Sequence, residues 1–394
     1  MAMRNPPNAV IAGAGIVGLA AAYQLLKMKP DLKVAVLEKE SRIALHQTGR
    51  NSGVVHTGVY YKPGSLKALN CIAGRRELLA FASEESIRCR QIHKLIVATR
   101  SEETPFLREL LARGQANGIP GIRLISKEEA KEIEPAVNAL EALYIPECHI
   151  IDYKEVSEAL ARRIRQAGGE IIFDTEVIGA EGSSVRCKGK EFPADVFINC
   201  AGLHSDRLAR ATDLKILPFR GEYYELAPEK RAVVRGLIYP VPDPKFPFLG
   251  VHLTPMVNGK VEAGPNAVLA WAREGYKKTD FNVRDLKEIF SYAGFWNMAS
   301  KYWRAGCYEM LRSFSKKLFL RDLQRLVPSI EEKDLAQGGV GIRAQAVKRS
   351  GALVDDFAFH EEGRAIHVLN APSPAATASF SIGRTIANKA MTKV

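Results

Sequence analysis

The first forty residues hold the feature that most constrains the fold. An apolar run, Ala9-Val10-Ile11-Ala12, leads into Gly13-Ala14-Gly15-Ile16-Val17-Gly18 and then into a helical stretch carrying Leu19, Ala20, Ala21, Ala22, Leu25 and Leu26, with Pro30 beyond its end. A second run, Lys33-Val34-Ala35-Val36-Leu37, closes on Glu38 and Lys39. The spacing predicts a strand, a helix and a second, parallel strand, both strands buried. Gly13 allows a tight turn, Gly15 lets the backbone approach a pyrophosphate, and Gly18 permits close packing of helix on strand. The helix N-terminus, with Ile16 and Val17 in its first turn, offers unpaired N–H groups and partial positive charge to phosphates. Glu38 lies about 20 residues past Gly18, the place for an acid that bonds ribose hydroxyls. A glutamate rather than an arginine there argues against a 2′-phosphate.

The chain then departs from the pattern of an NAD dehydrogenase, in which further strand–helix units would follow directly. It enters a segment from His46 to Tyr61 rich in glycine, polar side chains and aromatics, too polar for a core strand. Other pieces of a nucleotide domain come much later. Asp152 and Glu155 form a reciprocal cap at the start of a helix through Ala167, which Gly168-Gly169 stops. The strand Ile171-Ile172-Phe173 and a small hairpin follow. The buried strand Val196-Phe197-Ile198-Asn199-Cys200 then runs into Ala201-Gly202, and the last strand, Ile366 to Asn370, runs into Ala371-Pro372-Ser373-Pro374-Ala375-Ala376-Thr377.

A dinucleotide domain assembled from three separated segments resembles the D-amino-acid-oxidase-like flavoproteins. The runs HQTGRNSGVVHTGVYYKPGSLKA, PFRGEYYEL, FLGVHLTP, GPNAVLA, REGY, RLVPS, GIRAQAV and NAPSPAATAS narrow the resemblance to the L-2-hydroxyglutarate dehydrogenase and oxidase family, over essentially the whole chain. Arg50 departs from it, standing where that family's run has histidine. The resemblance implies an α/β fold: a Rossmann-like FAD-binding domain from 1–85, 148–215 and 336–394, with an inserted mixed-sheet α+β substrate domain from 86–147 and 216–335. It implies FAD as cofactor. Gly13, Gly15, Gly18, Glu38 and Lys39 would hold pyrophosphate and ribose. Thr48, Arg50, Asn51, Ser52 and Gly53 would lie along the pyrophosphate and flavin, and Val177 would meet the adenine. Ala201 and Gly202 would close over the cofactor, with Ser373, Pro374, Ala375 and Ala376 at the flavin pyrimidine end.

The expected substrate is a small dicarboxylate hydroxy acid. Oxidising it moves a hydride from C2 to flavin N5 and releases a hydroxyl proton, so a base is needed, and histidine suits the task. His56, in the flavin-adjacent segment, and His252, at the end of a strand starting near Phe248, are the candidates, His56 slightly ahead; a hydrogen-bonded structural histidine is the alternative for each. Carboxylates call for arginine forks. Arg343, after a glycine-rich turn, is the first candidate, with Gln345 two residues on. Arg220 is second, its alternative being an ion pair with Glu222. Tyr60 and Tyr61 are expected to orient the substrate or wall the flavin, whereas Tyr224 reads as core packing. A competing reading is an amino-acid or amine oxidase of the same fold.

Charge bears on partners. Lys and Arg outnumber Asp and Glu 56 to 44, a net +12 with pI near 9.3. That balance favours anionic partners and raises a flavin-bearing RNA-modifying protein as an alternative of another class. The basic residues are dispersed without an RNA-binding signature, so no nucleic-acid partner is expected. Six scattered cysteines with no C-x-x-C pair argue against zinc and disulfides and for reduced, mostly buried thiols in the cytoplasm. Arg4 and the apolar run after it mimic a signal peptide, but the glycine spacing explains that run better. Between Phe290 and Phe319, Tyr292, Phe295, Trp296, Tyr302, Trp303 and Phe314 mingle with Arg304, Arg312, Lys316 and Lys317. A helical lobe at about 284–327 is expected there, either packed on its own domain or lying in the inner face of a membrane, where a quinone rather than oxygen would take the electrons. The sequence gives no oligomeric state.

Overall fold

Short runs of three to six residues, most of them apolar, become the strands of a six-stranded sheet, in the order Ala358–Glu362, Ala365–Asn370, Val196–Asn199, Ala9–Ala12, Val34–Leu37, Glu170–Ile172. All neighbours are parallel except the antiparallel edge strand Ala358–Glu362. Ala9–Ala12 and Val34–Leu37 are buried on both faces, as their unbroken apolar sequences require. The structure, a computed structural model, describes residues 8–210, 212–243 and 249–394, so Arg4 and Phe248 lie outside the described residues.

The helix Ile16–Met28 packs on this sheet and against the C-terminal helix Ser379–Met391. Their approach is close: a Cβ on Gly383 would fall 2.6 Å from the backbone carbon of Ala20. The run of small residues in both helices is what permits it. The helix Tyr153–Gln166 is capped by the Asp152 carboxylate, which accepts from Lys154 N at 2.8 Å. Glu155 does not complete the reciprocal pair; it reaches Arg88 at 2.7 Å instead, a partner distant in sequence. The expected hairpin is a three-stranded sheet of Val177–Glu181, Ser184–Cys187 and Lys190–Pro193.

A ten-stranded mixed sheet forms the other half. Its spine runs Val268–Leu269, Leu214–Leu226, Val261–Gly264, His252–Pro255, Leu237–Pro240, Cys89–Ala98, Glu141–Ile151, Val54–Val55. Leu335–Lys348 pairs with Leu214–Leu226 over nearly its whole length. The boundary expected at 336 therefore moves: the chain returns to the six-stranded sheet only after Lys348. Val54–Val55, expected in the nucleotide domain, hydrogen-bonds to Glu141–Ile151 of the large sheet. That pairing pins the segment from His46 to Tyr61 between the two sheets.

The helices Val283–Phe290, Ala293–Phe314 and Lys316–Gln324 form the expected lobe on the outer side of the large sheet. Phe295, Phe319 and Arg312 face inward: Phe319 meets Tyr224 edge-on at 4.7 Å, and Arg312 pairs with Glu309 and Asp322. No helix among the described residues is long and apolar enough to cross a membrane. All six cysteines are free thiols; Cys71, Cys148 and Cys187 are buried, while Cys307 is exposed on the lobe.

Candidate active site

The first turn of the Ile16–Met28 helix has no side-chain cap and no acidic residue. Gly13 takes φ +100°, and a Cβ there would strike the Cys200 carbonyl oxygen at 2.6 Å; one on Gly18 would strike the Gly13 carbonyl. The Glu38 carboxylate braces this turn, accepting from Ala14 N at 2.7 Å and Glu40 N at 3.0 Å. Thr48 Oγ1 accepts from Ile16 N at 3.0 Å, so a residue of the following segment reaches the helix N-terminus.

Two cavities meet over this turn. One, of about 220 Å³, is bordered by Gly13, Glu38, Lys39, Val177 and Ala201. The other, of about 920 Å³, is bordered by Ile16, Val17, Arg50, Asn51, Ser52, Ser373, Pro374, Ala375 and Ala376. Gly15, Gln47, Thr48, Cys200 and Gly202 border both. The result is a trough leading from Glu38, across the open helix N-terminus, to the small-residue loop before the last helix. Its shape and chemistry fit an extended dinucleotide: an acid for ribose, bare N–H groups for pyrophosphate, and glycines where side chains would block. Gly18 and Gly53 border neither cavity. Gly53 is a close-approach residue, at φ +65°, where a Cβ would meet the Ile151 carbonyl at 2.6 Å. Asn51 shapes its own loop, its amide donating to the Gln47 and Thr48 carbonyls and its oxygen accepting from Gly53 N. Arg50 lies over the Tyr276 ring at 4.0 Å and donates to the Leu45 carbonyl. Lys39 is tied to Glu40 and Glu274. Burial alone would raise the Glu274 carboxyl, but hydrogen bonds from His204 and Lys39 outweigh it and hold it down at about 2.

The large cavity continues past the Ser373–Ala376 loop between the sheets. There it is bordered by His56, Tyr60, Tyr61, His252, Arg343 and Gln345. His56 Nε2 lies 3.3 Å from Ser373 Oγ, and its backbone N–H donates to Thr377 Oγ1 at 3.0 Å. His252 Nδ1 lies 2.9 Å from the Gly250 carbonyl oxygen, which only accepts; Nδ1 therefore carries the proton and Nε2 the lone pair. Burial pushes both imidazoles down to about 3, with Lys94 adding its charge to each. Both rings are neutral near pH 7 and able to accept a proton. Burial also lowers the Arg343 guanidinium's affinity for its proton. Gln345 borders the cavity, but its amide nitrogen is used by the Ala346 and Val354 carbonyls. What remains is an acceptor, suited to a hydroxyl and not to a carboxylate.

Arg220 stands apart from this group. It is buried, pairs with Glu222 at 3.0 Å, donates to the Lys277 carbonyl, and does not border the cavity. Its strand turns it to the face opposite Tyr223, so the ion-pair alternative describes it. Residues that sequence reasoning missed complete the far end. Tyr223 and Tyr239 border it, the latter stacked on His252 at 3.9 Å, and Lys94 lies beneath with its ammonium 4.0 Å from the Tyr239 ring centre. The signal for Lys94 was present: one charge immediately ahead of the apolar Leu95-Ile96-Val97-Ala98.

Comparison with known proteins agrees with this geometry. The family described as FAD dependent oxidoreductase matches residues 8–389. The chain is 51% identical to an L-2-hydroxyglutarate dehydrogenase of Indibacter alkaliphilus, over 97% of this chain and 98% of that one. It is 45% identical to an L-2-hydroxyglutarate dehydrogenase of Escherichia coli, over 97% and 93%. Among solved structures, the dithionite-reduced, FAD-bound L-alpha-glycerophosphate oxidase of Mycoplasma pneumoniae superposes with a TM-score of 0.80 at 25% identity, over 98% and 95%.

Proposed function

The chain belongs to the FAD dependent oxidoreductases, its whole length matching the L-2-hydroxyglutarate dehydrogenases, and from that premise we propose that it oxidises L-2-hydroxyglutarate to 2-oxoglutarate. The observation that carries the reading is the end of the trough: two neutral imidazoles and a buried arginine beside the Ser373–Ala376 loop. Bound in the trough, FAD supplies the acceptor for the two electrons of the C2–H bond.

His56 takes the hydroxyl proton. Its support is position, since of the two imidazoles it is the one beside Ser373 and Thr377 of the flavin-end loop. His252, held by Gly250, offers Nε2 to orient the substrate hydroxyl. Arg343 holds the carboxylate next to the reacting carbon, with the fork geometry a carboxylate prefers. An amino acid fits less well, because its ammonium would face cationic groups; of the acids bordering the cavity, Glu109 and Asp355 are exposed, and Asp356 accepts from the Leu66 and Phe357 backbone N–H groups.

Electrons leave to a quinone at the inner face of a membrane, to which the cytoplasmic protein binds peripherally. Supporting this is the outward side of the lobe, where Trp296, Trp303, Leu311 and Phe314 are each more than half exposed, Phe314 at 70%. Anaerobic titration of the flavin-loaded protein tests the substrate. L-2-hydroxyglutarate, and not its D form, should bleach the flavin band near ~450 nm. A band unchanged by both would sink the substrate and leave the flavoprotein.

A further inference from the structure

Lys94 is 1% exposed. Among the described residues no carboxylate pairs with it. Its ammonium sits between two phenol rings, 4.0 Å from the centre of Tyr239 and 5.3 Å from that of Tyr60. The other titratable groups facing it are the thiols of Cys71 and Cys148 and the imidazoles of His56 and His252, none of them anionic at neutral pH. Arg343, another buried group, adds its charge to that of Lys94 on His252 from the strand Leu335–Lys348. Arg343 borders the cavity, and Lys94 lies behind the two rings that wall it. With no carboxylate beside it, burial pushes the Lys94 pKa down, and an anion bound nearby would restore the ammonium that the aromatic faces favour. A fold retains such a cation where something else supplies the missing negative charge. Both rings that clasp Lys94 border the cavity, and the buried hydroxyl of Tyr60 has no hydrogen-bond partner. The missing charge is therefore expected in the cavity itself.

We propose that Lys94 is the second cation of the substrate site, a positioning residue that, with Arg343, offsets the two negative charges of a dicarboxylate and so sets the preference for dianionic over monoanionic 2-hydroxy acids. The proposal deepens the reading that the substrate is a 2-hydroxy acid and rests on it. Arg343 answers the carboxylate beside C2. Lys94 answers the distal one, acting through Tyr60, whose free hydroxyl donates to that carboxylate while the ammonium polarises the ring. The Lys94 charge also discourages protonation of His56 and His252, keeping the base neutral until the dianion arrives.

The test compares L-2-hydroxyglutarate with L-2-hydroxypentanoate, which has the same five carbons and lacks the distal carboxylate. The ratio of their kcat/KM values is measured on flavin-loaded wild type, Lys94→Met and Lys94→Arg. Lys94→Met should lower the ratio by about 30-fold or more, the effect of removing one partner of a buried charge pair. Lys94→Arg should restore most of it. A purely structural lysine would lower turnover of both substrates alike and leave the ratio unmoved, which would overturn the proposal. The unmutated protein gives a second measurement that needs no variant to fold. Glutarate, which has no hydroxyl to oxidise, should perturb the flavin spectrum at about 10-fold lower concentration than butyrate; equal affinities would also overturn it. Tight glutarate binding without turnover of L-2-hydroxyglutarate would separate the two ideas, sinking the proposed reaction and sparing Lys94.

Discussion

At the scale of single residues, the site works by withholding water from groups that would otherwise be charged. His56 and His252 each have a folded value of about 3 against an ordinary value near 6.5. Two consequences follow. Since both rings are already neutral, kcat/KM should show no acid limb from a free imidazole between pH 8 and about 5, where an ordinary histidine would give one. His56→Gln removes the base and should lower kcat by about 10²–10⁴ with KM little changed; His252→Gln should act mainly on KM. Steady-state kinetics of the two variants checks both, and equal kcat losses would argue against the division of roles. Stability responds with a definite sign. Depressed histidines stabilise the fold fully above about pH 6.5 and lose that contribution as pH falls towards 3, because the unfolded chain takes up the protons first. His56→Gln lacks this penalty. Its Tm deficit relative to wild type should therefore be largest at pH 7.5 and shrink by pH 5, as thermal melts of the two proteins would show.

At the scale of elements, small residues decide what can touch what. Gly383 admits the backbone of Ala20, so Gly383→Ala should force the Ser379–Met391 helix away from Ile16–Met28 and cost about 1–3 kcal/mol. Urea unfolding would measure it. Weakened flavin retention should accompany the loss, since both helices follow segments that border the trough, Gly15 and Ala376. The elements also mark where sequence ends as a guide. The Ala9–Glu38 unit was legible because its glycine spacing, strand lengths and terminal acid all answer one ligand. Arg343, His56 and His252, singled out for their chemistry beside glycine-rich turns, border one cavity. The pairing of Leu335–Lys348, expected from 336 on in the FAD-binding domain, with Leu214–Leu226 was not legible, because the partner lies more than a hundred residues away and pairing register leaves no local trace. For Arg220 the sequence left two readings open, and one residue of register decides between them: Gly221 borders the cavity, while Arg220 pairs with Glu222. Glu155 looked like a helix cap until Arg88, distant in sequence, claimed it. Tyr239 stayed hidden because a phenol inside an apolar strand reads as core until the cavity behind it is seen.

At the scale of the whole molecule, the question is how a trough closed between two sheets passes on its electrons. The outward face of the helix Ala293–Phe314 bears on it. Trp296, Trp303, Cys307, Leu311 and Phe314 recur at helical spacing on one side, over 18 residues or about 27 Å. Arg304 lies over the Trp303 ring at 5.4 Å and Lys278 over the Phe314 ring at 4.9 Å. The one acid in Ala293–Phe314, Glu309, is buried, and the one in Lys316–Gln324, Asp322, is partly so; both are held by Arg312. An apolar stripe rimmed by cations suits a bilayer interface with anionic headgroups, into which such a helix sinks about 5–10 Å. Aromatic side chains add the preference of indole and phenyl rings for that depth. The protein should float with vesicles containing phosphatidylglycerol and stay behind with neutral phosphatidylcholine, and salt should weaken the binding without abolishing it, because the apolar part is not screened. Trp296→Ser with Trp303→Ser and Phe314→Ser should abolish flotation and reduce electron transfer to vesicle-borne quinone, while turnover with a soluble dye acceptor stays unchanged, since none of the three borders the cavity. If the triple variant floated as well as wild type, the lobe would be a packing element and the acceptor would have to reach the flavin from solution. If it stopped floating but reduced vesicle quinone at the full rate, contact with the membrane would be incidental to the reaction.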